Sequence, residues 1–306
     1  MSILVIGATF VDIKGFPFDN YLPTGRNAGK VEFVHGGVAR NVVEDIANIE
    51  LRPTFLTIVD DTPMGDAVVQ KLKNHKVNTD YILTRSDGMG TWLAVFDNNG
   101  DVAGSISKRP NMYPLAELLM EKGDEIFSQA KSVVLEVGLD KDTVKRSLSL
   151  CKKHNVKSIA LVANMSIAAE RRDLLQQFDC VICNQLEAGI LFLDDYENKT
   201  PEEMREILVD RIAAANIPSM VVTMGAAGAV YANLQGENGV CPARNVQVKD
   251  TTGAGDSFCA GVAIGMTYGK NMAESVQIGT TLAASVITSS ENVCPRFRPE
   301  ELGITL

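Results

Sequence analysis

The stretch Asp250-Thr251-Thr252-Gly253-Ala254-Gly255-Asp256-Ser257-Phe258 decides how this chain is read. It lies between a β-like run, Val246–Val248, and an expected helix, Phe258–Met266. Glycines at 253 and 255 let the backbone turn sharply, since they reach conformations closed to other residues. The helix that follows begins with free N–H groups and the positive end of its dipole. With Gly253, Ala254 and Gly255 it forms an anion hole suited to charge developing on a transferred group. A carboxylate inside such a loop is costly unless it works. Asp256 is placed to accept the proton of an attacking hydroxyl. The plainer alternative is a tight turn with Asp256 as a helix cap.

Upstream, short apolar runs alternate with helix-period segments. Ile3–Ile6, Phe55–Val59, Val133–Leu135, Ser158–Val162, Val181–Cys183 and Met220–Thr223 read as strands. Ala39–Ile49, Gly65–His75, Asp142–His154, Ala168–Gln177 and Pro201–Ala214 read as helices. Continuous Val/Ile/Leu runs separated by helices predict an α/β fold, a parallel sheet covered by helices on both faces. From 254 to 289 two helices rich in small residues are expected to pack closely. Two segments break the rhythm, about 14–35 and 90–107. The second carries Asp97-Asn98-Asn99-Gly100 between strand-like runs, a hairpin signal. Together they predict a small β lid over the sheet's C-terminal edge, where α/β folds bind ligands. The whole chain, 1–306, is expected to be a single domain with this lid.

Composition excludes several classes. The chain has 306 residues, 45% hydrophobic and 22% charged, with 38 acidic against 29 basic residues and a net charge of −9. No basic block is present, so a nucleic-acid partner is not expected. No apolar stretch reaches about 18 residues, so no membrane span is expected. The N-terminus enters a strand-like run without a basic segment or cleavage site, so no secretory signal is expected. Six scattered cysteines, mostly in apolar runs, fit a reducing cytoplasm. The pair Cys180/Cys183 lacks a second pair for a zinc site. A dinucleotide dehydrogenase would need G-x-G-x-x-G after the first strand, and Gly7-Ala8-Thr9 does not supply it.

The nine residues at 250–258 resemble the signature of the ribokinase-like (PfkB) carbohydrate kinases, and the resemblance extends over nearly the full chain. It implies a ribokinase-like sandwich, ATP and Mg²⁺ as cofactors together with a monovalent cation such as K⁺, and a homodimer through the lid. It implies that Asp256 is the catalytic base and that Asp12 binds sugar hydroxyls. Gly36-Gly37-Val38-Ala39-Arg40-Asn41 is similar to the family's first motif. Gly36 and Gly37 let a sugar lie against the backbone, and Asn41 can donate to and accept from a hydroxyl. Arg40 is read either as a substrate contact or as a solvent-facing residue. Asn184-Gln185-Leu186-Glu187 resembles the family's Asn-x-x-Glu motif, in which Glu187 organises hydrated Mg²⁺; its alternative is a first-turn carboxylate favoured by the helix dipole. Thr223, Gly225, Gly228 and Thr252 are implied at the nucleotide. Gly36–Val42 most resembles pseudouridine kinases, so 5′-phosphorylation of a nucleoside is expected, with pseudouridine first. A free-sugar kinase of the ribose or fructose type and a non-catalytic binding protein remain the alternatives. Ala163-Asn164-Met165 and Ser289–Asn292 depart from the family pattern. His35, Lys108 and Arg109 read mainly as structural or solvated, and Trp92 as core or lid interface.

Overall fold

In the first strand, Ile3 and Val5 pack into one hydrophobic cluster, while Leu4 and Ile6 pack into another. Residues two apart share a face, so a strand apolar at every position must be covered on both sides. The computed structural model describes residues 2–305.

In chain order the strands and helices begin with β1 (Ser2–Ile6), β2 (Phe10–Pro17), β3 (Gly29–Gly36), α1 (Val38–Asn48), β4 (Thr54–Val59), α2 (Pro63–Asn74) and β5 (Ile82–Thr84). Then come β6 (Gly90–Phe96), β7 (Val102–Lys108), α3 (Pro114–Ser128), β8 (Ala130–Glu136), α4 (Lys141–His154) and β9 (Lys157–Leu161). They continue with α5 (Met165–Ala169), α6 (Arg172–Leu175), β10 (Cys180–Asn184), α7 (Gln185–Phe192), α8 (Pro201–Ala215) and β11 (Ser219–Thr223). The last are β12 (Ala229–Asn233), β13 (Asn238–Cys241), α9 (Ala254–Thr267) and α10 (Met272–Val286).

Nine strands form one sheet in the order β13-β12-β11-β10-β9-β8-β1-β4-β5. It is parallel from β11 to β5, and β12 and β13 add an antiparallel edge. One face is covered by the cluster containing Val42, Ile46, Leu72, Phe258, Val262 and Leu282, the other by Leu115, Phe127, Leu148, Leu208 and Ile212. A second sheet, β3-β2-β6-β7, is built from the two segments that interrupt the α/β rhythm. Its β6–β7 hairpin turns at Asn99-Gly100, where Gly100 has φ +86°.

Three local expectations are corrected. Val246–Val248 belongs to no strand; α9 begins at Ala254, four residues before Phe258. Gly253 adopts φ +80° as the N-cap, so the turn and the helix start coincide. Asp256 therefore stands in the first helical turn rather than in the preceding loop. The helix expected over 168–177 is two short ones, broken where Arg171 donates to the Val137 carbonyl at 2.8 Å and to the Leu139 carbonyl. Helices α3 and α7 and the strands β5, β12 and β13 are additions to the expected elements.

Helices α9 and α10 pack as their small residues imply. A Cβ on Gly261 would lie 2.6 Å from the Gly279 Cα, so these two backbones touch. Helix α1 is tied to the same layer by Asp45, which is fully buried. Its carboxylate accepts from the Ser257 hydroxyl at 2.8 Å and from the Cys294 N–H at 2.6 Å. Burial outweighs these bonds and lifts its pKa from 3.8 to about 7.

A carboxyl with a raised folded-state pKa binds its proton more tightly in the native state. Its contribution to stability is full below the unfolded value and is lost as pH rises toward about 7. Asp45→Asn, which keeps both contacts because the Ser257 hydroxyl can rotate to accept, should therefore shrink the fall in Tm between pH 5.5 and 8. Scanning calorimetry of both proteins checks this, and an unchanged pH slope contradicts it.

Candidate active site

The loop before α9 is shaped by its own residues. The Asp250 carboxylate accepts from the Thr252 N–H at 2.8 Å, and Ala254 N–H donates to the Thr251 carbonyl at 3.2 Å. Gly253 has positive φ, and any side chain there would overlap the Asn292 carbonyl. At Gly255, by contrast, a Cβ would meet nothing within 4 Å. The first-turn N–H groups of Gly255 and Asp256 lie outside the helix's own ladder and are free for a ligand.

Asp256 faces α1. Its Oδ2 accepts from the Asn41 side-chain amide at 2.6 Å. Burial raises its pKa to about 6, with the Asn41 bond and the Arg40 charge opposing. Asn41 Oδ1 is buried and has no hydrogen-bond partner, the one such side-chain atom among the described residues. It is an acceptor suited to a ligand hydroxyl. Helix α1 starts at Gly37, whose φ of +98° and closeness to the Ala8 carbonyl exclude a side chain. The Asp12 carboxylate occupies the space a side chain on Gly36 would fill, within 2.6 Å of the Cβ position. Burial raises the Asp12 pKa, against Lys14 and Arg40. Asp12 thus lies against Gly36, and Asn41, at the start of the helix that follows, meets Asp256.

Arg40 does not sit as a substrate contact. It is 1% exposed, its Nη1 pairs with Glu44 at 2.6 Å, and its Nη2 donates to the His35 carbonyl. Its position in the helix, four residues before Glu44, turns it inward, where it braces the di-glycine turn. The solvent-facing alternative is excluded by the same burial. His35 contributes its carbonyl, which also accepts from Asn292 at 3.3 Å.

Glu136 was not among the candidates. It ends β8 and is buried, with Oε2 accepting from the Ala8 N–H at 2.8 Å. Burial lifts its pKa to about 7, and the Asp256 charge adds to the rise. Gly7 has no room for a side chain because Glu136 and Ala39 lie against it. The available signal was positional: residues at the C-terminal end of a parallel strand line the ligand edge.

On the other side of the loop is a cavity of about 560 Å³. Thr223, Gly225 and Gly228 line it, as do Ala254 and Gly255 from the first turn of α9. Val246, Val248, Phe258 and Ile287 give it apolar walls. Thr252 is not in that lining, although its neighbour Thr251 is. Asn184 is paired in register with Thr223. Asn184 and Glu187 cap α7 reciprocally, each side chain accepting from the other's N–H at 2.8 Å. This is the local role weighed for Glu187, and it leaves one carboxylate oxygen outside the cap. Among the described residues no group of three or more His, Cys, Asp or Glu side chains is arranged to hold a metal.

The family described as pfkB family carbohydrate kinase matches residues 1–294. The chain belongs to that family. A guanosine-inosine kinase from Exiguobacterium acetylicum is 35% identical over 293 residues, 95% of this chain and 96% of the relative. A pseudouridine kinase from Escherichia coli (strain K12) is 25% identical over 281 residues, 90% and 87% of the two chains. The structure of Arabidopsis thaliana ribokinase complexed with ribose and ATP superposes with a TM-score of 0.87 at 21% identity, covering 98% and 97%. The fold is ribokinase-like, and the protein is an ATP-dependent kinase of the carbohydrate and nucleoside class. No helix among the described residues is long and apolar enough to cross a membrane.

Asp256→Asn in this kinase should lower kcat by roughly 10²–10⁴-fold while substrate binding persists. Because Asp256 must be ionised to accept a proton, wild-type kcat/KM should fall below about pH 6. Steady-state kinetics and equilibrium binding decide it; a wild-type kcat in the Asn variant refutes the role. Gly255→Ala places its Cβ in open space, so Tm should hold while kcat drops. Loss of folding in that variant would assign Gly255 to structure instead.

Proposed function

We propose that the protein transfers the γ-phosphoryl group of ATP to the 5′-hydroxyl of a ribonucleoside, with a 6-oxopurine nucleoside such as inosine or guanosine as its first substrate. The observation that carries the reading is the Asn41–Asp256 pair. It stands between the Asp12–Gly36 shelf and the 560 Å³ cavity that ends at Ala254 and Gly255. The 35% identity to a guanosine-inosine kinase supports a purine nucleoside over pseudouridine, the expectation drawn from Gly36–Val42. Pseudouridine is the second reading, supported by that run and by the 25% identical pseudouridine kinase.

In this mechanism Asp12 and Asn41 Oδ1 accept from the ribose's secondary hydroxyls and set the 5′-oxygen toward Asp256. The 5′-hydroxyl gives its proton to the Asp256 carboxylate as its oxygen bonds to the γ-phosphorus. The bond from that phosphorus to the β,γ-bridging oxygen breaks, and ADP leaves. The free N–H groups of Gly255 and Asp256, at the turn that Gly253 makes, receive the charge on the transferred group. Asp256 returns its proton to solvent. Mg²⁺ would neutralise charge on the ATP phosphates. Glu187, with its free carboxylate oxygen, is the residue proposed to hold the ion's water shell, and Asn184, Thr223, Gly225, Gly228 and Thr252 are proposed around the nucleotide.

The four-stranded sheet is proposed as the lid of a single domain spanning 1–306, and a second copy as its partner. Phe33, Ile13, Leu93 and Ile106 stand in register across all four strands on the face opposite Asp12. Phe33 and Ile106 are 60% and 69% exposed, a row that an isologous contact would cover. Light scattering should give the mass of a dimer.

A panel of ADP-release assays tests the substrate. Inosine and guanosine should exceed ribose and fructose at least tenfold in kcat/KM. 2′-Deoxy analogues should be poor, because polar groups of the site are left unpaired. Ribose or fructose outrunning every nucleoside would overturn the reading. Chelation by EDTA should abolish turnover, and Glu187→Gln should raise the Mg²⁺ needed for half-maximal rate. An unchanged Mg²⁺ titration would remove Glu187 from the site.

A further inference from the structure

Successive residues of a strand alternate faces, so Asp12, Lys14 and Phe16 share one face of β2. The parallel register of β6 sets Trp92 beside Asp12 and Ala94 beside Lys14, which brings Trp92 and Phe96 to that same face. Phe96 stacks on Phe16 with ring centroids 4.7 Å apart and planes 16° apart. Trp92 meets Phe96 edge-on at 6.4 Å. Ala94, between Trp92 and Phe96 on the strand, is fully buried. Trp92 and both phenylalanines are only half-buried, so their rings keep surface free. The result is an apolar strip of three rings that begins next to the carboxylate at the sugar shelf.

The faces of the three rings offer no hydrogen-bond partner to the hydroxyls of a free pentose. A nucleobase presents a flat π-face of matching chemistry, and it is joined to the sugar that Asp12 would hold. We infer that the base of the nucleoside substrate stacks on this lid strip with Trp92 as its first contact, and that the strip sets the preference for nucleosides over free sugars. The inference rests on the nucleoside kinase reading above. It gives Trp92, which the sequence places in the core or at the lid interface, a part in specificity.

Trp92 is the single tryptophan of the chain, so its fluorescence reports the contact without any substitution. Titrating the intact enzyme with inosine in the absence of ATP should quench the emission saturably, and ribose at saturating concentration should not. Equal quenching by ribose would mean lid movement rather than stacking and would overturn the inference. Trp92→Ala should raise KM for inosine about 5- to 150-fold, the range for loss of one base–aromatic stack, with little change in kcat. Trp92→Phe should recover most of the loss, which a merely structural role would not predict at equal Tm. A wild-type KM in the Ala variant, with wild-type enzyme still phosphorylating inosine, sinks the stacking strip and leaves the kinase reading intact. Failure of the wild type to phosphorylate any nucleoside takes down both.

Discussion

The hydrogen bond from the Asn41 amide to Asp256 joins two helices whose partners are 215 residues apart in the chain. Each helix is started by a glycine in a conformation that side chains avoid, Gly37 at φ +98° and Gly253 at φ +80°. Neither position can take a side chain, because a Cβ on Gly37 would meet the Ala8 backbone and one on Gly253 the Asn292 backbone. One turn further along, Asp45 ties the same pair through Ser257 and adds the Cys294 backbone. The Gly261–Gly279 contact then holds α9 against α10. The distance between the Gly36–Gly37 turn and the Gly253–Gly255 turn is therefore set by packed backbone, as in-line transfer between two bound molecules would demand.

Three carboxyls cluster around this junction, the buried Asp45 and Glu136 and the half-buried Asp256, and desolvation raises the pKa of each. Asp256 also raises the other two by its charge, so the site resists holding all of them ionised at once. Asp45 has both oxygens bonded within the protein, and Glu136 has one oxygen on the Ala8 N–H. Asp256 differs in standing in the first helical turn beside the open space at Gly255. On a protein of net charge −9 the proposed mechanism has main-chain N–H groups, rather than a basic patch, receive the anion.

Much of this was legible in the sequence. Ile3–Ile6 read as a covered strand because every residue is apolar, Phe55–Val59 because all but Thr57 are, and the β6–β7 hairpin read from Asn99-Gly100, a pair that marks such turns. The residues of the shelf were named because their motifs are local. What was not legible depends on long-range contact. Arg40 is buried because Glu44 and the His35 carbonyl receive it, and nothing in a helix of alternating polar and apolar residues announces that. Glu136 matters through Ala8, 128 residues away. The start of α9 at Ala254 hinges on the φ of Gly253, which a glycine permits but does not dictate. The strip of rings beside Asp12 emerges only from the β2–β6 register, since Phe16 and Trp92 are far apart in sequence.

The central claim is that a nucleoside 5′-oxygen lies between Asp256 and the γ-phosphate of ATP. A structure of the enzyme with inosine and a non-hydrolysable ATP analogue measures this directly. The account predicts the 5′-oxygen within about 2.6–3.2 Å of an Asp256 oxygen, in line with a γ-phosphate above the Gly253–Gly255 turn. A 5′-oxygen bonded to Glu136 instead, or a triphosphate lying away from that turn, would contradict it.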